Sequence, residues 1–536
     1  MIGSELPVMP NHMSQGRRRW RSLAGVLVMG VGLLGTAQPH AFASQTPAAG
    51  KRMLREGITL LGRNELDQAQ ARFEQLLKAG LETPDAYYYL GLIHERRGDL
   101  SAAAAAFEEA LTKAPGMARA HDRLGFVLGQ QGRTVDAVEH FRQAVRLDPK
   151  LADAHYHLGA TLWWMREPAD ALTALRRAAE LRPDHPEGQY YLGVVLREVG
   201  DTTAAVRHLR HAIRLAPSIA AAHTQLGVAL QALGDLEGAE AAFTKALAID
   251  PTLEDASNSL GLVRMQLGQG DAAIGLFKAI LARNPDNETA RHNLGTVFMH
   301  KGDLKSAVEV YKELTRRNPY NAEAFYNLGL ALKQQDDFAA AEAALTRATE
   351  LDSTLPEAQF TLGVVFWQTG RAGQAVAAFR TAISQKPDYA EAHYMLGTIL
   401  RQQGRADEAL AAFRRSIELQ PESAEAYLGL GQLLQRRGDA EGSAAALKEA
   451  ERINRLKADE QAAAFALQRG VEKLRAGDVS GAMLDLKEAV RLGPNLPRAH
   501  YQLARALRRH GASGEARAHF AEAQRLAPYL EIPESD

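Results

Sequence analysis

Residues 118–151 read "ARAHDRLGFVLGQQGRTVDAVEHFRQAVRLDPKL". Along them stand Leu124-Gly125, then Gly132, Ala137, Phe141, Ala144 and Pro149. The same series returns up and down the chain. Leu-Gly begins at 90, 124, 158, 192, 226, 260, 294, 328, 362, 396 and 430, always 34 residues apart. Behind it, at constant offsets, come an Ala (Ala103, Ala137, Ala171, Ala205), a large apolar residue (Phe107, Phe141, Leu175, Leu209) and a further Ala (Ala110, Ala144, Ala178, Ala212). Pro115, Pro149, Pro183 and their equivalents close most units, and Ser353 and Arg455 are the departures.

Each recurring residue answers a physical need. Gly98, Gly132, Gly200, Gly234, Gly302 and Gly404, often followed by Asp, stand where a first helix must stop in a left-handed cap. Apolar residues on either side of that stop recur at three- and four-residue intervals, so each unit is two short amphipathic helices. Gly91 and its equivalents lack a Cβ where the two helices cross. Pro at the unit boundary cannot continue the second helix.

This pattern resembles the tetratricopeptide repeat family, in which Leu-Gly is followed by Ala, Phe, Ala and Pro over 34 residues. The resemblance covers nearly the whole chain after residue 49. It implies an all-α fold, an α-solenoid of about fourteen helix-turn-helix units forming a right-handed superhelix, its concave groove lined by the first helices. The units start at 50, 84, 118, 152, 186, 220, 254, 288, 322, 356, 390, 424, 463 and 497. Units 1 and 13 carry Glu56-Gly57 and Arg469-Gly470 in place of Leu-Gly. Five extra residues, Ala458 to Ala462, separate units 12 and 13, and no Pro or Gly interrupts 443–467, which predicts a long helix that bends the array. The expected organisation is a signal peptide over 1–43, a linker over 44–49, units 1–12 over 50–457, an inserted helical junction over 458–462, units 13 and 14 over 463–530 and a tail over 531–536.

Composition narrows the function classes. The 536 residues include 63 Lys+Arg against 64 Asp+Glu, a formal net charge of -1, so no basic surplus draws the chain to nucleic acid. The absence of cysteine removes disulfides, thiolate metal sites and cysteine nucleophiles. In the leader, Arg17, Arg18, Arg19 and Arg21 precede the apolar run Leu23 to Gly35, and Ala41 to Ala43 precede Ser44. This is the layout of a secretory signal, and the apolar run is shorter than the roughly 20 residues that span a bilayer. The expectation is export to the periplasm or beyond, in a mature form that does not span the membrane; an uncleaved N-terminal anchor is the alternative.

Chemical look-alikes dissolve in the repeat register. "DAHYHLG", 153–159, gathers an Asp and two His, but His155 shares its unit position with His121, His223, His393 and His500 and with Tyr87, Phe325 and Tyr427. A slot held by His, Tyr and Phe fills space between helices. His155 and His157 lie about 200° apart around a helix and cannot share a metal. "HERRG" at 94–98 has the turn Gly where a zinc-protease motif needs His, and "GQGDAA" at 268–273 joins two helices and follows no strand. Neither a catalytic residue, a metal ligand nor a cofactor is expected, and the repeats leave no room for a catalytic domain.

The resemblance places partner contacts on the inner face of the first helices, at unit positions 2, 5, 9, 12 and 13. Position 5 holds Tyr88, Tyr156, Tyr190, Tyr326, Phe360 and Tyr394; position 12 adds Trp163, Arg197, Trp367 and Arg401, with Trp164 beside Trp163. Tyr, Trp and Arg are the residues most enriched at binding hot spots. Family members that clamp a carboxylate use Lys at position 5 with Asn at position 9, a pair that no unit here has. Members that precede a sugar-transferase domain carry an Asn ladder at position 6, where only Asn293 and Asn327 stand. The expected function is a non-catalytic scaffold that binds an extended protein segment in its groove, in assembly of an envelope or secretion complex. The alternative is an accessory subunit for surface polysaccharide synthesis or export, with Tyr and Trp stacking on sugar rings. After Pro528 only "YLEIPESD" follows, so either this tail folds back or the Phe520 edge meets a second copy of the chain.

Overall fold

The computed structural model describes residues 47–81 and 83–532. The expected signal peptide, the first part of the linker and the end of the tail lie outside the described residues. Within them every regular element is an α-helix, 27 in all, and no helix is long and apolar enough to cross a membrane. The chain divides into two compact bodies, one up to Ala229 and one from Leu230. In each body the architecture is an α-solenoid of antiparallel helix pairs.

First helices start at Pro84, Ala118, Ala152, Pro186, Ala220, Glu254, Glu288, Ala322, Pro356, Ala390, Ala424 and Pro497. Each is followed, after a three-residue or shorter turn, by a second helix such as Leu100–Lys113 or Thr134–Leu147. The turn glycines adopt the left-handed conformation that halts the first helix, Gly98 at φ 76 and Gly132 at φ 84. The Asp that often follows caps the second helix: Asp99 accepts from the Ala102 N–H at 3.0 Å and Asp201 from the Ala204 N–H at 3.0 Å. Three turns lack Gly and force Asn64, Arg166 and Asp336 into positive φ instead.

The Leu-Gly glycines sit against the large apolar residue of the second helix. A Cβ at Gly91 would lie 2.5 Å from the Phe107 ring, and one at Gly159 2.6 Å from Leu175. Phe107, Phe141, Phe243, Phe277, Phe379 and Phe413 are consequently sealed, with no surface left to solvent. Between repeats 12 and 13 the turn disappears: one helix, Ala440–Arg475, runs 36 residues through the inserted segment.

The C-terminal edge is covered. Ile532 packs against the cluster that holds Leu503, Leu507 and Phe520, the Gln524 amide donates to the Leu530 carbonyl at 3.2 Å, and Phe520 is left 4% exposed. Of the two expected fates of this edge, the tail folding back is the one observed. Ile532 and the Arg508 guanidinium, 5.1 Å from the Phe520 ring, cover part of this edge.

Candidate functional site

First helices of adjacent repeats approach one another, as Ala118–Gln130 approaches Ala152–Trp164 and Glu254–Gln266 approaches Glu288–His300. Second helices of adjacent repeats have no comparable contact among the described residues, so within each body the first helices line the inner side of the curve.

Position 5 on these helices is less open than its aromatic content suggested. Tyr88 is 9% exposed and Tyr156 6%, while Tyr190, Tyr326, Phe360 and Tyr394 are half-buried. The reason is the neighbouring second helix. Position 5 lies one turn before the Leu-Gly glycine, on the same stripe, so its ring meets the residue that the glycine meets. Ring centroids are 5.8 Å apart for Tyr88 and Phe107, 5.4 Å for Phe360 and Phe379 and 6.1 Å for Tyr394 and Phe413. The expected ladder is thus broken at Tyr88 and Tyr156, which cannot offer a ring to a partner as they stand.

Position 12 behaves differently. Trp163 is half-buried, its indole N–H donates to a Glu198 carboxylate oxygen at 2.8 Å, and its ring meets Tyr191 edge-on at 5.5 Å. Tyr191 in turn touches Tyr190 at 5.0 Å and Tyr156 at 6.0 Å, which makes one aromatic cluster across repeats 4 and 5. Trp164, the next residue in the chain, is 36% exposed. Two residues on, Arg166 holds φ 65 where most repeats have Gly, a strained turn beside the two indoles. Trp367 repeats the arrangement in the C-terminal body: its indole N–H donates to the Gln402 side chain at 3.4 Å, 35 residues ahead as Glu198 is from Trp163. Arg401 donates to Gln432 of the next repeat and lies 5.9 Å from the Phe413 ring. Arg197 lies 4.0 Å from Glu198, and its buried Nε has no partner. Phe360, Trp367 and Tyr394 share one cluster, whereas Tyr326 packs into another.

Sequence reasoning missed a buried polar chain on the same face. His157 bonds Asp122 at 2.7 Å, Arg123 lies 3.8 Å from Asp122 and 3.5 Å from Glu95, and the second Glu95 oxygen is buried without a partner. Burial pushes the Asp122 carboxyl up, but the charge and hydrogen bond of His157 and the Arg123 guanidinium outweigh it and hold the group below the usual carboxylate range. For Glu95 burial wins over Arg123 and raises the carboxyl, and burial also lifts Tyr88 to about 12. Acids at position 2 form ion pairs as well: Asp85 with Arg119, and Asp153 with Arg182 at 2.7 Å.

The recurrent histidine does more than fill space. His121, His155, His223, His393 and His500 each bond, through Nε2, the carbonyl of the proline six residues before, at 3.0 to 3.1 Å. Gln189, in the same slot, bonds the Pro183 carbonyl at 2.9 Å. The tether joins a helix to the proline that closes the preceding repeat, so His155 and His157 are committed to different partners. Among the described residues no three His, Cys, Asp or Glu side chains are placed to hold a metal ion.

Family models match most of this chain. Residues 54–118, 161–205 and 467–531, and again 220–253, match tetratricopeptide repeat models, and 130–165 match a TPR repeat model. The chain is a tetratricopeptide repeat protein. Residues 254–468 also match the model of the cilia and flagella-associated protein 70 C-terminal domain. Among solved structures the chain is similar to MamA, at 27% identity over 31% of this chain and 96% of that one, with a TM-score of 0.29. It is similar to YrrB, described as a TPR protein with an unusual peptide-binding site, at 23% identity, 35% and 97% coverage and a TM-score of 0.33. To yeast Tom70 the figures are 15% identity, 75% and 96% coverage and a TM-score of 0.41. No curated protein matches it.

Tetratricopeptide repeat proteins typically serve as non-catalytic scaffolds for protein and peptide partners. Where repeat 13 departs from the family pattern, the structure supplies a substitute: Arg469 and Lys473 reach Asp485 on the following helix at 2.6 and 2.7 Å. Gly470 keeps its role, since a Cβ there would lie 2.6 Å from Leu486.

Proposed function

We propose that this protein is a non-catalytic scaffold that binds an extended protein segment along the inner face of its first helices. The observation that carries the reading is the packed, hydrogen-bonded Trp163 cluster, followed in sequence by Trp164 at 36% exposed. Large aromatic side chains held by packing and a hydrogen bond, with a further indole open to solvent next in sequence, are residue types enriched at binding hot spots. The partner contacts are Trp163, Trp164, Tyr190 and Arg197 in one body, and Tyr326, Phe360, Trp367, Tyr394 and Arg401 in the other. On the leader's evidence the scaffold works after export, in the assembly of an envelope or secretion complex.

The test is an affinity capture from envelope extract. Wild-type protein is compared with a Trp163→Ala, Trp164→Ala, Trp367→Ala variant and with Trp164→Ala alone, after circular dichroism and melting show both folded. Proteins held by the wild type and lost by the variants support the inner face as the binding surface; equal retention overturns it. The exposed Trp164 ring also suits stacking on a sugar. Thermal stabilisation by oligosaccharides and not by peptides would move the reading to the polysaccharide accessory role.

A further inference from the structure

In a stacked array each repeat touches its neighbours in sequence. Side-chain hydrogen bonds here follow that rule: His157 to Asp122, Trp163 to Glu198 and Trp367 to Gln402 each bridge 35 residues. Among the described residues of the C-terminal body, the contacts of Arg498 and Tyr529 break it. The Arg498 guanidinium donates to the Glu237 carboxylate across 261 residues, and the Tyr529 hydroxyl donates to the Leu233 carbonyl at 3.3 Å across 296.

The two contacts converge. Leu233 and Glu237 flank the cap Asp235 at the start of the helix Leu236–Ile249, and the Asp235 charge also acts on Arg498. On the other side, Arg498 lies in the first turn of the helix Pro497–Arg509, and Tyr529 follows the end of the helix Ser513–Leu526. Both ends of the last repeat are therefore pinned to one short stretch, which a single long side chain reaching out would not achieve. The unbroken helix Ala440–Arg475 separates repeats 13 and 14 from the regular stack before them.

We infer that the C-terminal body closes on itself through a two-point clasp, Arg498 on Glu237 and Tyr529 on Leu233, and that this clasp opens and shuts reversibly. Its weakness is built in. The Arg498 and Glu237 side chains are 41% and 32% exposed, so salt screens their attraction, and the second Glu237 oxygen has no partner. The Tyr529 hydroxyl adds a neutral hydrogen bond to a backbone carbonyl. Nothing covalent competes, because the chain has no cysteine.

The missing cysteines also make the test clean. Lys245→Cys and Ala518→Cys place two spin labels on exposed positions outside the clasp, and their separation is read by double electron–electron resonance on the full chain. At low salt a narrow, short distance population is expected. In an Arg498→Glu background the ratio of closed to open molecules falls about fivefold, the upper range for one exposed ion pair. Raised salt shifts the wild type the same way, and Glu237→Arg combined with Arg498→Glu restores the short population. A distribution unchanged by charge reversal and by salt overturns the clasp, as does a wild type that is broad and long at low salt. Circular dichroism of every variant confirms that the repeats themselves stay folded.

Discussion

At the residue scale the sign of a substitution is decided by what stands opposite it. Gly125 and Gly275 are both helical glycines, and alanine has the higher helix propensity by about 1 kcal/mol. A Cβ at Gly125 would meet the Phe141 ring at 2.8 Å and the Ala137 carbonyl oxygen at 3.0 Å, and a backbone atom cannot withdraw. A Cβ at Gly275 meets nothing within 4 Å, on an exposed face of the helix Gly270–Arg283. Gly125→Ala is therefore expected to destabilise by about 1–3 kcal/mol through overpacking, and Gly275→Ala to stabilise by up to about 1 kcal/mol. Urea unfolding of the two variants checks this; the same sign for both would show that helix crossing does not depend on the missing Cβ. The Leu-Gly spacing made the first of these roles readable without a structure. The burial of Tyr88 and Tyr156 was readable in principle, since each lies three residues before such a glycine, but aromatic identity pointed toward solvent while stripe geometry pointed inward.

At the element scale the two helices of a repeat are joined by a side-chain pair that the sequence periodicity did not reveal. His121 and His140 face each other with Nδ1 atoms 3.0 Å apart, His500 and His519 do the same in the last repeat, and Gln189 takes the place of the first histidine opposite His208 at 2.7 Å. The proline carbonyl bonded to His121 Nε2 requires a proton there, so Nδ1 accepts and His140 donates. When both rings are protonated, two N–H groups point at each other. Burial lowers His121, with Arg146 adding to it and the Pro115 bond opposing; burial and His121 lower His140, with Arg133 adding and Asp136 and Glu139 opposing. A histidine depressed in the folded state leaves stability intact above its unfolded value of about 6.5 and loses it as pH falls from there toward the folded value. The thermal midpoint should accordingly drop between about pH 7.5 and 5. In a His121→Gln, His140→Gln variant that drop should shrink, and a variant that loses as much as the wild type refutes the assignment. Helix starts, stops and caps were written in Pro, Gly and Asp; these cross-helix pairs were not, because their members stand 19 residues apart and change identity from repeat to repeat.

At the scale of the molecule, repetition makes stability a sum of local interfaces, so an end is the place where one more residue matters most. After Pro528 the described residues are Tyr529 to Ile532. Ile532 shields the Phe520 cluster and Tyr529 reaches Leu233, two jobs that a periodicity analysis could not assign to residues outside the period. Ending the chain at Pro528 removes both. Burial of one half-covered isoleucine and the two hydrogen bonds made by Tyr529 and the Leu530 carbonyl is worth about 2–4 kcal/mol, and in a repeat array that loss stays near the site where it is made. Hydrogen exchange in the truncated protein should therefore speed up by roughly tenfold or more across 497–526. Sedimentation velocity should at the same time show concentration-dependent association, since loss of Ile532 uncovers part of the apolar cluster that holds Phe520, Leu503 and Leu507. A truncated chain that stays monomeric and keeps wild-type exchange would mean that the last helix pair is held by its own stacking alone, with the tail contributing nothing to the end of the array.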